Sequence, residues 1–173
     1  CQLVVSHHPV IFKPVRRLQS ADAAFLLARY GISALCAHTN LDAAEGGGNT
    51  ALAQRLGLEN PVPLETDGVD EAGCPYGIGR VGMCHQPGMS AADYAGRVKM
   101  LLGAAGVRYT DGGRPVHRVA VGGGACGEDE AAALAAGCDT FVTSDLKYHQ
   151  FLDAPGKGIN LIDAGHFPTE DPV

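Results

Sequence analysis

The chain of 173 residues lacks features that mark several classes of protein. It has no tryptophan, only 6% aromatic residues, and 13 lysine and arginine residues against 19 aspartate and glutamate residues, a formal net charge of -6. Its only basic cluster is Arg16 with Arg17, so nonspecific binding to a nucleic-acid backbone is not expected. No apolar run approaches the roughly 20 residues that cross a bilayer. We therefore expect a cytoplasmic protein without a membrane partner.

The six cysteines contain no C-x-x-C pair. Their spacing therefore does not support a zinc ribbon or a thioredoxin-type redox motif. Apolar residues make up 46% of the chain and charged residues 18%, a composition typical of a globular protein rather than a disordered or rod-like one. A globular core of this size needs no disulfide bonds, so we expect the cysteines to be mostly buried free thiols.

Both ends of the chain indicate a fragment. Residue 1 is cysteine rather than methionine, and the residues that follow predict a strand of a domain that begins upstream. At the other end, Pro168 suits the first position of a helix, but the chain stops at Val173. We expect missing sequence on both sides, with unpaired strand edges and exposed apolar surface there.

Short apolar runs alternate with capped helical segments. The predicted strands are Leu3–Val5, Ile32–Cys36, Ile78–Val81, Val116–Val121, Thr140–Val142 and Ile159–Ile162. The predicted helices are Ala21–Tyr30 between Ser20 and the capping residue Gly31, Thr50–Leu56 after Asn49, a helix from the Ser90–Asp93 capping box to about residue 105, and Glu128–Ala136. This alternation predicts an α/β fold with mainly parallel sheets flanked by helices, whose ligands bind beyond the carboxyl ends of the strands.

A stretch rich in proline and glycine, residues 58–75, has little periodicity. Such a composition is typical of a linker, so the chain is predicted to form two lobes. The first lobe spans residues 1–57, and the second spans residues 76–173.

Two adjacent histidines, His7 and His8, follow the first strand in the motif Ser6-His7-His8-Pro9. At a strand end the backbone can turn, and the proline favours an extended conformation at His8, so the two rings could diverge toward two metal ions. The alternative is an exposed pair of loop histidines without a ligand.

His38 and Asp42 follow the second strand. Asp42 could bind one metal ion or bridge two, and His38 could bind as well or support a ligating carboxylate through a hydrogen bond. The alternative is an Asx-type turn that uses Asn40 and Asp42.

His166 and Glu170 follow the last predicted strand. A helix starting at Pro168 places Glu170 in its first turn, where the helix dipole favours an ionised carboxylate. The same proline argues against a regular helix across residues 166–170. The alternative is a helix-terminal charge beside a surface histidine.

The carboxyl ends of parallel strands lie along one edge of a sheet, so these three groups are predicted to converge. A set of nitrogen and oxygen donors without thiolate suits Zn, Fe, Mn, Co or Ni. A catalytic site with one metal ion usually has about three protein ligands. The larger number of donors favours two divalent ions.

These residues resemble the GTP cyclohydrolase I type 2-like proteins, also called the NGG-one-interacting-factor-three-like family. The resemblance covers nearly the whole chain and rests on the motifs Ser6–Pro9, Ala37–Asp42, Gly77–Gly82, Thr143–His149 and Asp163–Glu170, with Ser144 where the family often has glycine. It implies a dinuclear metal centre in a cleft between two α/β lobes. The ligands it implies are His7, His8, Asp42, His166 and Glu170. It also implies a homo-oligomer, commonly a hexamer.

Residues Gly122–Gly127 formally match the dinucleotide motif G-x-G-x-x-G. Acidic residues at positions 128–130 occupy the helix start where a pyrophosphate needs positive potential, so a tight strand-to-helix turn is favoured. His149 is a candidate proton shuttle, and the alternative is an ordinary loop histidine.

Two divalent ions, two carboxylates and a bridging hydroxide leave the predicted centre slightly positive. This balance favours a small anionic, phosphorylated substrate, and metal-assisted hydrolysis is the predicted reaction class. The resemblance suggests water attack on the base of GTP. The alternatives are a non-enzymatic metal-binding assembly or regulatory protein, and a nucleotide sensor that uses the glycine-rich loop.

Overall fold

The computed structural model describes residues 1–173 and divides them into two units, Cys1–Leu41 and Asp42–Val173. The first unit contains strand β1 (Leu3–Ser6), helix α1 (Ala23–Tyr30) and strand β2 (Ser33–Cys36). The two strands pair in parallel, with Ser6 opposite Cys36. Gly31 caps the end of helix α1, as predicted. The φ of Gly31 is 62°, which lies in the left-handed region that favours glycine. Asp22, rather than Ser20, is the residue before the helix.

A short helix, α2 (Thr39–Ala43), leads from the first unit into the second. The strands that follow are β3 (Leu58–Pro63), β4 (Gly68–Val69), β5 (Pro75–Tyr76), β6 (Arg80–Cys84), β7 (Arg108–Thr110), β8 (Arg118–Val121), β9 (Thr140–Thr143) and β10 (Asn160–Asp163). The helices are α3 (Gly48–Arg55), α4 (Ala91–Leu101), α5 (Glu130–Ala135), α6 (Tyr148–Lys157) and α7 (His166–Glu170). No helix has the length and apolar character that crossing a membrane requires.

A six-stranded sheet in the order β3-β6-β8-β9-β10-β7 forms the centre of the second unit. Strands β8, β9 and β10 are parallel, because helices α5 and α6 provide the crossover connections that parallel neighbours need. The pairs nearer both edges are antiparallel. The predicted α/β class is confirmed, and the sheet is mixed, with its parallel strands in the middle.

Both faces of the central strands are buried. Val142 and Ile162 point to one face, where Leu52 of α3 and Tyr94 of α4 cover them. The alternate residues, which include Phe141, point to the opposite face and pack with residues of α5 and α6. A strand covered on both faces has a continuous apolar run, which is why the sequence of β9 and β10 shows no polar alternation.

The segment 58–75, predicted as a linker, begins with edge strand β3 and also contains the two-residue strand β4. Strand β3 pairs antiparallel with β6, and its register shifts between Glu59 and Val62. Pro61 and Pro63 occur in this strand because an edge position does not require every backbone N–H to pair. The prolines that suggested a loop are therefore compatible with an edge strand.

Helices α3 and α6 also differ from the sequence prediction. Helix α6 was not predicted, since its Pro155-Gly156 pair is typical of a turn. It ends at Lys157, and the next residue, Gly158, caps it with a φ of 70°. Helix α3 begins at Gly48, so Asn49 lies inside the helix rather than capping it. The side chain of Asn49 is thus available for contacts elsewhere.

Candidate metal centre

Three histidines of the first unit form a cluster. His7 and His8 directly follow β1, and His38 follows the end of β2 after one residue. Because the two strands are parallel and in register, their carboxyl ends lie side by side. The ring centroids lie 5.2 Å apart for His7 and His8, 5.1 Å for His7 and His38, and 5.4 Å for His8 and His38. One ligating atom of each ring lies within 4.8 Å of the others, so the group could hold a metal ion.

The orientation of the His7 ring is set by the neighbouring strand. Its Nδ1 atom lies 2.8 Å from the carbonyl oxygen of Ala37. Since a carbonyl only accepts hydrogen bonds, Nδ1 carries the proton and Nε2 carries the lone pair. A backbone carbonyl commonly supports a metal-binding histidine in this way. His7 is therefore prepared to coordinate through Nε2.

His166 and Glu170 lie one turn apart on α7 in the second unit. The Nε2 atom of His166 is 3.0 Å from Oε1 of Glu170. The expectation that Pro168 would interrupt this interval is wrong, because the helix begins at His166 and includes the proline. Proline is tolerated in a first turn, where backbone N–H groups have no partner within the helix.

Asp145 supports the opposite side of the His166 ring. Its Oδ2 atom lies 2.6 Å from Nδ1 of His166, and its φ of 54° is unusual for a residue other than glycine. Burial lowers the pKa of His166, but the hydrogen bond to Asp145 and the charges of Glu170 and Asp145 outweigh it, so the pKa is raised. The ring thus lies between two carboxylates.

Asp145 was not among the functional residues predicted from the sequence. The signal was its place after β9, beside the strand whose exit leads to His166. Adjacent parallel strands bring the residues after their carboxyl ends together, so the argument that grouped the other candidates also applied to this carboxylate.

The backbone around Asp42 is closely confined. Asn49 Nδ2 donates a hydrogen bond of 3.1 Å to the carbonyl oxygen of Asp42. A Cβ atom at Gly48 would lie 2.7 Å from Oδ1 of Asp42, so a larger residue there would displace this carboxylate or itself. The Oδ1 atom of Asn40 accepts from the N–H of His38 at 2.9 Å; this donor lies two residues before Asn40, whereas an Asx-type turn bonds the backbone two residues after it.

The loop Gly122–Gly124 follows β8 and passes close to α7. A Cβ atom at Gly124 would lie 2.6 Å from Oε1 of Glu170 and 3.2 Å from Nε2 of His166. The φ of Gly124 is 66°, which also favours glycine. The glycines of the G-x-G-x-x-G motif thus allow the backbone to approach a carboxylate and an imidazole of the same chain.

Cys126 follows this loop, and burial and the negative charges of nearby acidic residues affect the pKa of its thiol. Burial raises the pKa of its thiol to about 12, and the negative charges of Asp129, Asp42 and Glu170 add to the effect. Its Sγ atom donates to the carbonyl oxygen of Gly123 at 3.1 Å. The carboxylates of Asp42 and Glu170 therefore act on the same region of the second unit.

His149 lies on α6 and lines a groove of about 510 Å³ together with residues of α5 that include Glu130. Other charged residues of the groove are Glu128, Asp153 and Lys157. The role of His149 as a proton shuttle stays a prediction.

The profile of the Duf34/NIF3 (NGG1p interacting factor 3) family matches residues 1–173. The chain belongs to this family. The resemblance drawn from the motifs is thereby confirmed. Within the Duf34/NIF3 family, the chain is 34% identical over 179 residues to a protein of Nostoc sp. named GTP cyclohydrolase 1 type 2 homolog, in an alignment that covers 99% of this chain and 65% of the relative. The chain thus spans slightly less than two thirds of that relative's length.

Solved structures of similar proteins agree with the fold. A Staphylococcus aureus hypothetical protein is 28% identical, with a TM-score of 0.85, over 97% of this chain and 68% of the other. A Bacillus cereus protein related to NIF3 also has a TM-score of 0.85, at 22% identity over 97% of this chain and 73% of the other. The second likeness concerns the fold alone.

The donors of this NIF3-family chain suit a divalent metal ion. Neighbouring ligands of a tetrahedral ion with bonds of about 2.1 Å lie roughly 3.4 Å apart, and the Nε2 and Oε1 atoms of His166 and Glu170 lie at the similar distance of 3.0 Å. The glycine at position 124 leaves space where a side chain would meet both atoms. Each unit therefore provides nitrogen or oxygen donors of the kind that hold such an ion.

Proposed function

We propose that the protein is a metal-dependent hydrolase that binds two divalent ions, with His7, His8, Asp42, His166 and Glu170 as ligands. The observation that carries the proposal is the His166–Glu170 pair, with Nε2 and Oε1 3.0 Å apart. Asp145 supports this pair on one side and the glycine loop approaches it on the other. Such outer support orients the ligands of a metal ion.

Bound divalent ions would make water more acidic and polarise an oxygen atom of the substrate. The chain itself would orient the donors. Asp145 holds the proton of His166 at Nδ1 and thereby presents Nε2 to the ion. Ala37 does the same for His7 through its carbonyl oxygen.

The substrate class we propose is a small anionic, phosphorylated molecule. Two divalent ions exceed the charge of the two ligating carboxylates, so the centre attracts an anion despite the acidic chain. The name of the Nostoc relative, GTP cyclohydrolase 1 type 2 homolog, supports hydrolysis at the base of GTP as the more specific proposal. A homo-oligomer, commonly a hexamer, is the assembly implied by the resemblance, and the mass of the full-length protein in solution tests it.

Metal content is the first test of the proposed centre. Elemental analysis of the purified protein should give nearly two ions per chain, and Asp42→Ala and Glu170→Ala should each lower this number. Asp153→Ala provides a matched control because it removes an exposed carboxylate from α6. Equal metal content in all four proteins, or none in the wild type, would contradict the ligand assignment.

Turnover distinguishes the hydrolase from a non-enzymatic metal-binding protein that serves assembly or regulation. Metal-loaded full-length protein should hydrolyse GTP or another member of a nucleotide and phosphoester panel. His7→Ala should remove this activity while the far-ultraviolet circular dichroism stays unchanged. Full metal loading without any turnover across the panel would favour the non-enzymatic alternative.

A further inference from the structure

Asn49 makes hydrogen bonds that do not serve its own helix. The residue is 1% exposed and lies second in α3. Its Nδ2 atom donates to the carbonyl oxygen of Asp42 at 3.1 Å, and its Oδ1 atom accepts from the N–H of Gly123 at 2.7 Å. The two partners are 7 and 74 residues away in the chain. The amide therefore links the backbone of Asp42 to the glycine loop.

A second link continues from the glycine loop to α7. The N–H of Gly124 donates to Oγ1 of Thr169 at 3.0 Å, and Thr169 is 1% exposed. The same hydroxyl donates to the carbonyl oxygen of His166 at 2.8 Å. Thr169 directly precedes Glu170. A line of buried hydrogen bonds therefore joins the backbone of Asp42 to the helix that carries His166 and Glu170.

We infer that Asn49 is a positioning residue that fixes Asp42 relative to the His166–Glu170 pair. The inference rests on the proposed function, in which all three side chains are metal ligands. Two carboxylates of like charge repel each other before a cation arrives. A rigid backbone link opposes their separation, so less reorganisation accompanies metal binding.

The chemistry of this position requires an amide. Asparagine supplies a donor and an acceptor at the same short length, whereas aspartate lacks the donor and leucine lacks both. Loss of the amide would leave a buried carbonyl oxygen and a buried N–H without these partners, which is costly away from water. The residue thus has a structural role as well, and the test must separate that role from positioning.

Asn160 offers a matched control in the same unit. It is 0% exposed and also uses both ends of its amide. Its Nδ2 atom donates to the carbonyl oxygen of Arg114 at 2.9 Å, and its Oδ1 atom accepts from the N–H of Gly112 at 2.8 Å. None of these contacts involves a proposed ligand or the glycine loop.

The experiment compares Asn49→Ala and Asn160→Ala with the wild type in the full chain. Thermal unfolding of the metal-free proteins measures the structural role, and we expect both variants to unfold at lower temperature. The affinity for Zn²⁺, from competition with a chelator, and the absorption spectrum of the Co²⁺-loaded protein measure positioning. Only Asn49→Ala should weaken Zn²⁺ binding, by about 10–100-fold, and alter the Co²⁺ spectrum.

Zn²⁺ affinity of Asn49→Ala equal to that of Asn160→Ala would overturn the positioning role while leaving the metal centre intact. Wild-type protein that binds neither ion would instead overturn the proposed function, and the inference with it. Thr169→Val keeps the side-chain volume and removes the hydroxyl that accepts from Gly124. If Asn49→Ala does not fold, this variant decides the question, since unchanged Zn²⁺ affinity in it would contradict the link.

Discussion

Apolar strands of the two units differ in their burial. In the first unit, Val5 of β1 is 62% exposed and Leu35 of β2 is 56% exposed. In the second unit, Phe141 of β9 and Ile162 of β10 are 0% exposed. All four belong to short apolar runs that predict strands equally well. The difference shows that an apolar pattern specifies a strand, while burial depends on the number of neighbours and on what covers each face.

The two regions therefore contribute differently to the proposed centre. Within the 173 residues, the first unit presents its histidines from a two-stranded sheet, and such a sheet is marginally stable by itself. The six-stranded sheet buries both faces of its central strands and supports the residues that follow them. We expect substitutions to affect the free energy of unfolding most strongly. Their effects on the pKa and the reactivity of individual side chains should be smaller.

The largest difference in the free energy of unfolding should follow removal of an aromatic ring from the core. Phe141→Ala removes a completely buried side chain from the central sheet and should lower the free energy of unfolding by about 3–5 kcal/mol. Leu35→Ala in the first unit should lower it by only about 0.5 kcal/mol, because this side chain is largely exposed. Urea denaturation followed by circular dichroism measures both. Equal losses would break the comparison between the two regions.

Replacement of a buried arginine should have the next largest effect on the free energy of unfolding. Arg80 is 0% exposed, and its guanidinium donates to Thr50 Oγ1 and to the carbonyl oxygens of Ala43, Ala44, Gly77 and Gly79. Arg80→Ala leaves these acceptors without their donor, so we expect a loss of about 2–4 kcal/mol. The same denaturation experiment on Arg29→Ala, in the first unit, should give a change within about 0.5 kcal/mol. A comparably small change for Arg80→Ala would show that water replaces the guanidinium.

In metal-free protein, the proton on His166 should depend on the contact with Asp145. The raised pKa of His166 means that the folded chain holds this proton more tightly than the unfolded chain. The stabilisation is present below the pKa of the unfolded state and is lost as pH rises through the folded pKa. Asp145→Asn should lower the pKa of His166, as measured by NMR titration, because it removes a carboxylate from Nδ1. Asp153→Asn is the control, and an unchanged pKa in Asp145→Asn would contradict the assigned contact.

The smallest expected difference between the two regions lies in the reactivity of their cysteine thiols, which can be measured sensitively. Cys1 and Cys36 of the first unit are exposed, whereas burial raises the pKa to about 12 for Cys126 and to about 11 for Cys138. The thiolate is the reactive form, so the buried Cys126 thiol should react slowly at pH 8. Iodoacetamide labelling followed by mass spectrometry should modify the two exposed thiols first. In denaturant, all four should react at similar rates, and fast labelling of Cys126 in folded protein would contradict its burial.

Much of the fold followed from local signals. The caps at Gly31 and Ser90 and the apolar runs of β8, β9 and β10 act within a few residues, so the sequence predicted them. Helix α6 escaped prediction because its proline and glycine favour a turn when only local preferences are considered. The sheet's antiparallel edges also escaped prediction, since strand order depends on pairing between distant segments.

The candidate site shows the same division. Strand exits directed attention to His7, His8, Asp42, His166 and Glu170, and the ligand set formed from them stays a prediction. The contact between Asp145 and His166 spans 21 residues, and the link from Asn49 to Gly123 spans 74. Neither contact produces a local pattern.

The family, the α/β class and the candidate donor residues could be predicted from the sequence, because periodicity, capping residues and short motifs are encoded in neighbouring positions. The burial of particular strands, the need for glycine at position 124 and the polar contacts of the candidate donors became visible in the folded chain. The physical reason is that these properties depend on close contacts between segments far apart in the chain. Such contacts exist only once the sheet and its helices have assembled.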